Sequence, residues 1–304
     1  MLLADQLKSS LQMLAKLETL LPRAFTAGAE EGECAAYANL PRADAPLESA
    51  PTLEELIAEI GPLPPHAIVI GACADHSHLF LDLTDPRPGS ILITGDIQCG
   101  KTRLLRSILL SAARLNPARR VRYALITSRF PEAKPLLTHT NCYKVFAAHA
   151  EQAPQLLLEM ADLVEQRQAG QPISNAILFA IDDLMRLLEA LEASDTTLIE
   201  QLRWLIRNGP EMQVWTIATL NAPDLDQVAA SVLDAFQTRL VGRTESAETA
   251  AALVGGVGPK VQELTAGSQF GLVFGEQWMP FWTPLTETEP DQESRYEYRN
   301  AVVR

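Results

Sequence analysis

Aromatic side chains are scarce in this chain: Phe, Trp and Tyr make up 6% of 304 residues. Aliphatic side chains must therefore fill the core, and an apolar content of 47% supplies enough of them. Cysteine is also sparse. Cys34, Cys73, Cys99 and Cys142 lie far apart with no Cys-x-x-Cys pair, which argues against a zinc cluster or a disulfide framework and for reduced thiols in a cytoplasmic protein. No apolar run approaches the roughly 18 residues of a membrane span. Asp5, Lys8 and Lys16 interrupt the Leu-rich amino terminus, which lacks a signal-peptide layout, so membrane insertion is not expected. Bases are outnumbered by acids, 25 to 38, and the formal charge of −13 argues against a protein that simply coats nucleic acid. Much of that charge sits in the flanks. Residues 1–60 carry ten acids and four bases, and residues 286–304 carry five and three. Acids are missing altogether from Ile97 through Pro131, where Lys101, Arg103, Arg106, Arg114, Arg119, Arg120, Arg122 and Arg129 occur. This run is read either as a solvated helix face and loop or as a basic patch facing a polyanion or an acidic neighbouring subunit.

Three regions follow from the pattern. In 1–60, Leu3, Leu7, Leu11, Leu14, Leu17 and Leu21 form one stripe of a helix that packs on its own domain, forms a self-association seam or docks a partner. Residues 22–52 lose periodicity and read as a linker, and Thr52 and Glu55 form a capping box for a short helix stopped by Gly61. From 61 to 285, strand-like stretches (67–72, 78–83, 90–95, 122–127, 176–182, 213–220, 238–243 and 270–275) alternate with helix-like ones (101–115, 151–168, 196–208 and 226–237). That alternation predicts an α/β fold with a mainly parallel central sheet and helices on both faces. Residues 286–304 form an acidic tail.

The chemistry begins at "SILITGDIQCGKTRLLRSILL", residues 90–110, where Gly95, Gly100, Lys101 and Thr102 fit G-x-x-x-x-G-K-T between a strand and a helix. The loop Gly95, Asp96, Ile97, Gln98, Cys99, Gly100, with Lys101, Thr102 and Arg103 opening the helix, can wrap a phosphate chain with backbone N–H groups. Lys101 would reach the β- and γ-phosphates of ATP, and the Thr102 hydroxyl would ligate Mg²⁺. A second element is needed, an apolar strand ending in an acid. "AILFAIDD", 176–183, supplies it, with Asp182 on the Mg²⁺ side and Asp183 where motor ATPases place a water-polarising glutamate. Aspartate is one methylene shorter, and a misplacement of about 1 Å can cost on the order of 10²-fold in rate. One of the two acids also suits a helix cap before Leu184. Thr219 and Asn221 end another strand and are candidates to sense the γ-phosphate, although Asn221 before Ala222-Pro223 equally suits a turn. Arg207, Arg239 and Arg243 are candidates for an arginine reaching a neighbouring subunit. His66, His76, His78, His139 and His149 show no metal spacing beyond His76-x-His78 and are read as non-catalytic.

Taken with their order, these segments resemble the FtsK/SpoIIIE family of P-loop motors, within the FtsK–HerA class. The similarity covers roughly 65–285: the strand pair before the P-loop, "ALITSRFPE", "LLLEMADLVEQR", "AILFAIDDLM", "IRNGPEMQVWTIATLNAP", "TRLVGRTESAETAAALVGG" and "LTAGSQFGLVFG". The resemblance implies a RecA-like P-loop NTPase domain, usually in a hexameric ring that translocates double-stranded DNA or, in relatives, protein substrates. It implies that Gly95, Gly100, Lys101 and Thr102 bind ATP and that Asp182 binds Mg²⁺. Asp183 then stands in for the catalytic glutamate, and Asn221 is the polar residue nearest the family's sensor glutamine, which aligns near Leu220. Arg239 or Arg243 falls where the family presents subunit-crossing bases. The sequence departs from the family at Asp183, at the sensor, at "DIQC" in the P-loop, and at "SRF" in place of an acidic-Pro-Lys turn. Two readings follow: an ATP-driven ring motor on DNA or a polypeptide, and a slow ATP-dependent assembly or switch protein. A metabolic kinase would show a lid with paired arginines, and none is evident.

Overall fold

The computed structural model describes residues 49–61, 63–254, 258–274 and 277–286. The leucine stripe over 2–21, the linker as far as residue 48 and all but the first residue of the acidic tail lie outside the described residues.

Apolar runs dominate the centre of the chain, and they become strands buried from end to end. β3 (Ile91–Gly95), β6 (Ala176–Asp182) and β7 (Val214–Asn221) carry almost no exposed position. Such runs suit a parallel sheet covered on both faces. With β1 (Ala67–Cys73), β2 (His78–Asp82), β4 (Val121–Thr127), β5 (Cys142–Ala147), β8 (Thr238–Gly242), β9 (Gln269–Phe274) and β10 (Gln277–Trp282), they form one sheet in the order β2-β1-β10-β9-β8-β3-β7-β6-β4-β5. The block from β8 to β5 is parallel throughout. The remaining pairings, β8–β9, β9–β10, β10–β1 and β1–β2, are antiparallel. The sheet is thus mainly parallel at its centre and carries an antiparallel flank.

Strand alternation sorts the core into two layers. Ile91, Ile93, Leu178, Ala180, Trp215 and Ile217 face α2 (Lys101–Leu115) and its buried Leu104, Leu105, Ile108 and Leu109. Leu92, Ile177, Phe179, Ile181 and Ala218 face the other way, onto α3 (Gln152–Gln168), α4 (Leu184–Ser194) and α5 (Thr197–Asn208). The Trp215 indole is wholly buried, and its Nε1 donates to the Leu83 carbonyl at 3.2 Å, which ties the segment just after β2 to β7. α1 (Leu53–Ile60) begins at the expected capping box, Thr52 N–H to Glu55 at 2.7 Å and Glu55 N–H to Thr52 at 3.1 Å, and ends at Gly61 with φ 69°.

Several elements depart from the sequence reading, among them the additional helices Ala247–Val254 and Gly258–Gln262. The helix expected over 226–237 is a 3₁₀ turn, Ala222–Gln227, followed by a single turn of α6 (Ala230–Leu233). Val228 and Ala229 are extended between them, yet Val228, Val232, Ala235 and Phe236 are still buried at helix-like spacing. β5 and β10 are additional strands. Pro280 lies within β10, where a missing N–H would normally rule out a position between two partners. The pairing resolves this, because β1 meets β10 only at Phe281 and Trp282, leaving Pro280 matched to Gly271 of β9 alone.

Candidate active site

The C-terminal ends of the parallel strands β3, β7, β6 and β4 stand side by side, and the candidate site residues on these strands lie at that edge. Chain order reverses there, because β3 is followed by β4 three positions away. Crevices of this kind are where open α/β sheets bind ligands.

The candidate phosphate cradle is a loop with three left-handed residues: Gly95 at φ 146°, Gln98 at 68° and Gly100 at 100°. At Gly100 the need for glycine is twofold, since an added Cβ would also lie 2.9 Å from the Gly267 carbonyl oxygen. Gly100 gives α2 no side-chain cap, and the helix has no acid in its first turn. The first-turn N–H groups of a helix have no intrahelical acceptor, so this end is open to an anion. Lys101 folds back over the loop. Its Nζ donates to the Gly95 carbonyl at 3.0 Å and the Asp96 carbonyl at 2.7 Å, and stands 3.7 Å from Cys99 Sγ. At 8% exposure and with no carboxylate in contact, this ammonium is held below the usual lysine range by burial. A buried cation bonded only to neutral groups is a site that gains from an incoming anion. Burial likewise pushes the Cys99 thiol up, so it stays neutral beside Lys101.

Asp182 is the hub of the site. Its Oδ1 accepts from the Thr102 hydroxyl at 2.8 Å and the Thr219 hydroxyl at 3.1 Å, and its Oδ2 accepts from the Thr127 hydroxyl at 3.1 Å. Three hydroxyls from α2, β7 and β4 thus hold one buried carboxylate. Thr102 and Asp182 form the oxygen set that suits Mg²⁺, which is usually held by one or two protein groups with substrate phosphates and water. Among the described residues no cluster of three or more His, Cys, Asp or Glu offers an all-protein metal cage.

Asp183, directly after it, has a left-handed backbone at φ 80° and caps α4 by accepting from the Arg186 N–H at 3.3 Å. Ser128 Oγ approaches its Oδ2 at 3.4 Å. Burial, with the neighbouring Asp182 adding to it, raises the Asp183 carboxyl above the usual aspartate range. Thr219 links the two acids, because its hydroxyl also accepts the Asp183 N–H at 2.7 Å. Thr219, two residues before the end of β7, therefore supports the acid pair. Asn221 is paired in register with Gly95, and its amide donates to Asp224 at 2.8 Å, which closes the turn before the 3₁₀ segment.

No family model matches this chain, and no curated protein is similar to it in sequence. Solved structures are similar in fold. ATPases 2 and 3 of Thermomonospora curvata EccC, in complex with a signal sequence peptide, superpose with a TM-score of 0.60 at 18% identity, covering 79% of this chain and 44% of that one. The pCW3 conjugation coupling protein TcpA with ATPγS superposes with a TM-score of 0.61 at 15% identity, covering 85% and 77%. ATPases 2 and 3 of Geobacillus thermodenitrificans EssC give 0.59 at 16% identity, covering 78% and 50%. The fold is that of a RecA-like P-loop NTPase, shared with these ATPase domains. The chain spans half or less of the EccC and EssC chains that it matches.

Within that fold the candidate arginines separate. Arg243 follows β8 and touches the P-loop of its own chain: its carbonyl accepts the Asp96 N–H at 3.0 Å. Its side chain is half-buried, with Nε hidden and lacking a hydrogen-bond partner among the described residues. Arg239 lies further back on β8, in register with Leu92, and reaches the Leu253 carbonyl at 3.5 Å. Arg207 is exposed at the C-terminal end of α5, at the sheet edge opposite the cradle. The basic run over 97–131 forms no single patch. Arg103 donates to the Gly267 carbonyl at 3.0 Å, Arg106 faces Glu132 at 3.9 Å, Arg114 faces Glu54 at 3.6 Å, and Arg122 stacks 4.8 Å from the Tyr143 ring centre. His78 is buried near Glu59 at 3.6 Å, remote from the site, and His76 lies in the preceding turn.

Two contributors escaped the sequence reading. Thr127 was hidden as the last residue of an ordinary apolar strand, although its register opposite Asp182 follows once β4 and β6 are known to pair. The other is the 243–268 segment, which grips the loop from the far side. The Glu245 N–H donates to Asp96 Oδ2 at 2.8 Å, and the Gly267 N–H donates to the Cys99 carbonyl at 3.1 Å. Only the glycine at 267 gave any local signal.

Proposed function

We propose that this chain binds ATP with Mg²⁺ and hydrolyses it, and that 61–285 works as the ATPase domain of a homo-oligomeric ring, hexameric by resemblance, acting on double-stranded DNA. The observation that carries the ATP reading is the Lys101–Asp182 arrangement: a buried ammonium lacking a carboxylate partner beside an uncapped helix start, with a hydroxyl-ringed carboxylate next to it. Bound Mg²⁺ would supply charge neutralisation between the terminal phosphates. The chain's own residues do the rest. The loop from Gly95 to Gly100, with Lys101, Thr102 and Arg103, orients the phosphates, and Lys101 offsets their charge. Thr127 and Thr219 fix the Asp182 carboxylate so that it does not swing. Asp183, raised in pKa and half-buried, accepts a proton from the attacking water, with Asn221 at the rim and Arg239 or Arg243 available to a neighbouring site. The neighbours support polymer handling in general: TcpA is a conjugation coupling protein, and EccC is seen with a signal peptide.

A second reading rests on Asp183. As the cap of α4 with a side chain one methylene short of glutamate, it suits a slow ATP-dependent switch. Steady-state ATP turnover with and without long double-stranded DNA separates the two, with Lys101→Ala as the blank. A several-fold rise with DNA is expected. Turnover indifferent to DNA favours the switch, and a Lys101→Ala rate equal to the native one overturns the ATPase reading itself.

A further inference from the structure

We propose that Arg129 is a phosphate-contacting residue of the same subunit, placed to bind the terminal phosphate of a nucleoside triphosphate and to distinguish it from a diphosphate. This inference rests on the ATP-binding reading above. Arg129 sits just past the end of β4, in the turn that departs from the family pattern. Its backbone is tied into the metal-side network: the Arg129 N–H donates to Thr127 Oγ1 at 2.9 Å, and that hydroxyl donates to Asp182 Oδ2 at 3.1 Å. Arg129 lines a small cleft with Thr102, Thr127 and Asp182, together with Arg106 and Glu132. The carboxylates nearby are already engaged. Both Asp182 oxygens accept hydroxyls, and Glu132, three residues on, faces Arg106 at 3.9 Å. The Arg129 guanidinium has no ion pair or hydrogen bond with any described residue.

Position selects which phosphate. Lys101 covers the loop beside Gly95, whereas Arg129 approaches from β4, beyond Thr102 and Asp182. A phosphate chain running from the loop toward Asp182 brings its last group, and no earlier one, to Arg129. A planar guanidinium presents paired donors to phosphate oxygens, which a lysine in its place would not reproduce.

Equilibrium titrations with ATPγS and ADP, in Mg²⁺, on the native chain, Arg129→Ala, Arg129→Lys and Lys101→Ala test this. Charge-assisted contacts of this kind correspond to about 10- to 100-fold in affinity. Arg129→Ala is expected to weaken ATPγS by that factor and ADP by less than about 2-fold, with Arg129→Lys between the two. Lys101→Ala should weaken both nucleotides. Equal effects of Arg129→Ala on ATPγS and ADP, or no effect on either, would overturn the assignment while leaving the ATP-binding reading intact. A native chain that binds neither nucleotide overturns both. Arg129 is exposed, so its substitution leaves the core untouched, and an unchanged circular dichroism melt confirms that binding and not folding is being read.

Discussion

Replacing Thr219 by valine isolates the joint that holds the acid pair. The Thr219 hydroxyl donates to Asp182 at 3.1 Å and accepts the Asp183 N–H at 2.7 Å, and the residue is 3% exposed. Valine keeps the branched shape and its strand preference but removes both bonds. Losing a hydrogen bond to a charged group costs about 1.5–3 kcal/mol, and leaving a buried N–H without an acceptor costs a further 1–3 kcal/mol or so. Burying a methyl in place of the hydroxyl returns about 0.8 kcal/mol. The expected net loss is therefore about 2–5 kcal/mol, read by urea unfolding. Amide exchange at Asp183 supplies a local signal, because its N–H loses protection well beyond the global change. In an Asp182→Ala background, Thr219→Val should cost less, since one of its two partners is already gone. A Thr219→Val protein within about 0.5 kcal/mol of native, with Asp183 still protected, would refute this account of the site.

Gly100→Ala forces a side chain into φ 100° and against the Gly267 carbonyl oxygen at 2.9 Å. We expect about 1–2 kcal/mol of strain and at least about 10-fold weaker ATPγS binding, measured by thermal melts and titration. Asp183→Asn tests the raised carboxyl. Because folding raises that pKa, ionisation is disfavoured in the native state, and this contribution to stability is lost as pH climbs from about 4 through the raised value. The Asp183→Asn variant is therefore expected to melt higher than native at about pH 7, with the gap closing as pH falls toward about 4, while ATP turnover is lost. A gap that widens on acidification would contradict the assignment.

The parallel centre of the fold was legible because its strands are short, apolar and bounded by glycines and acids, as in "ILITG" and "AILFAIDD". β5 was not: "CYKVFA" mixes a lysine with aromatics at a sheet edge, where only half-burial is needed and the alternation is blunted. β10 was hidden by Pro280, whose tolerance depends on how far β1 extends alongside it, a tertiary fact invisible locally. Within the site, Lys101, Thr102 and Asp182 were named from spacing, and the structure brings the Thr102 hydroxyl onto the Asp182 carboxylate while Lys101 folds over the loop. The roles of Thr219 and Asn221 could not be separated in advance, since both end the same strand. Register decided between them: Ile181 pairs with Ala218, which places Thr219 beside Asp182, whereas Asn221 pairs with Gly95 and turns to Asp224.

The grip of the 243–268 segment on the P-loop carries a thermodynamic consequence. Asp96 is bound from Arg243 and Glu245, and Cys99 from Gly267, so the cradle is held from outside as well as by its own helix. If nucleotide binding alters the strength of those bonds, linkage requires the converse by the same factor. A partner that tightens or loosens 243–268 then becomes an effector of ATP affinity without touching a phosphate. The antiparallel flank, whose β9 begins two residues after Gly267, is in this sense an input to the site as much as an extension of the sheet.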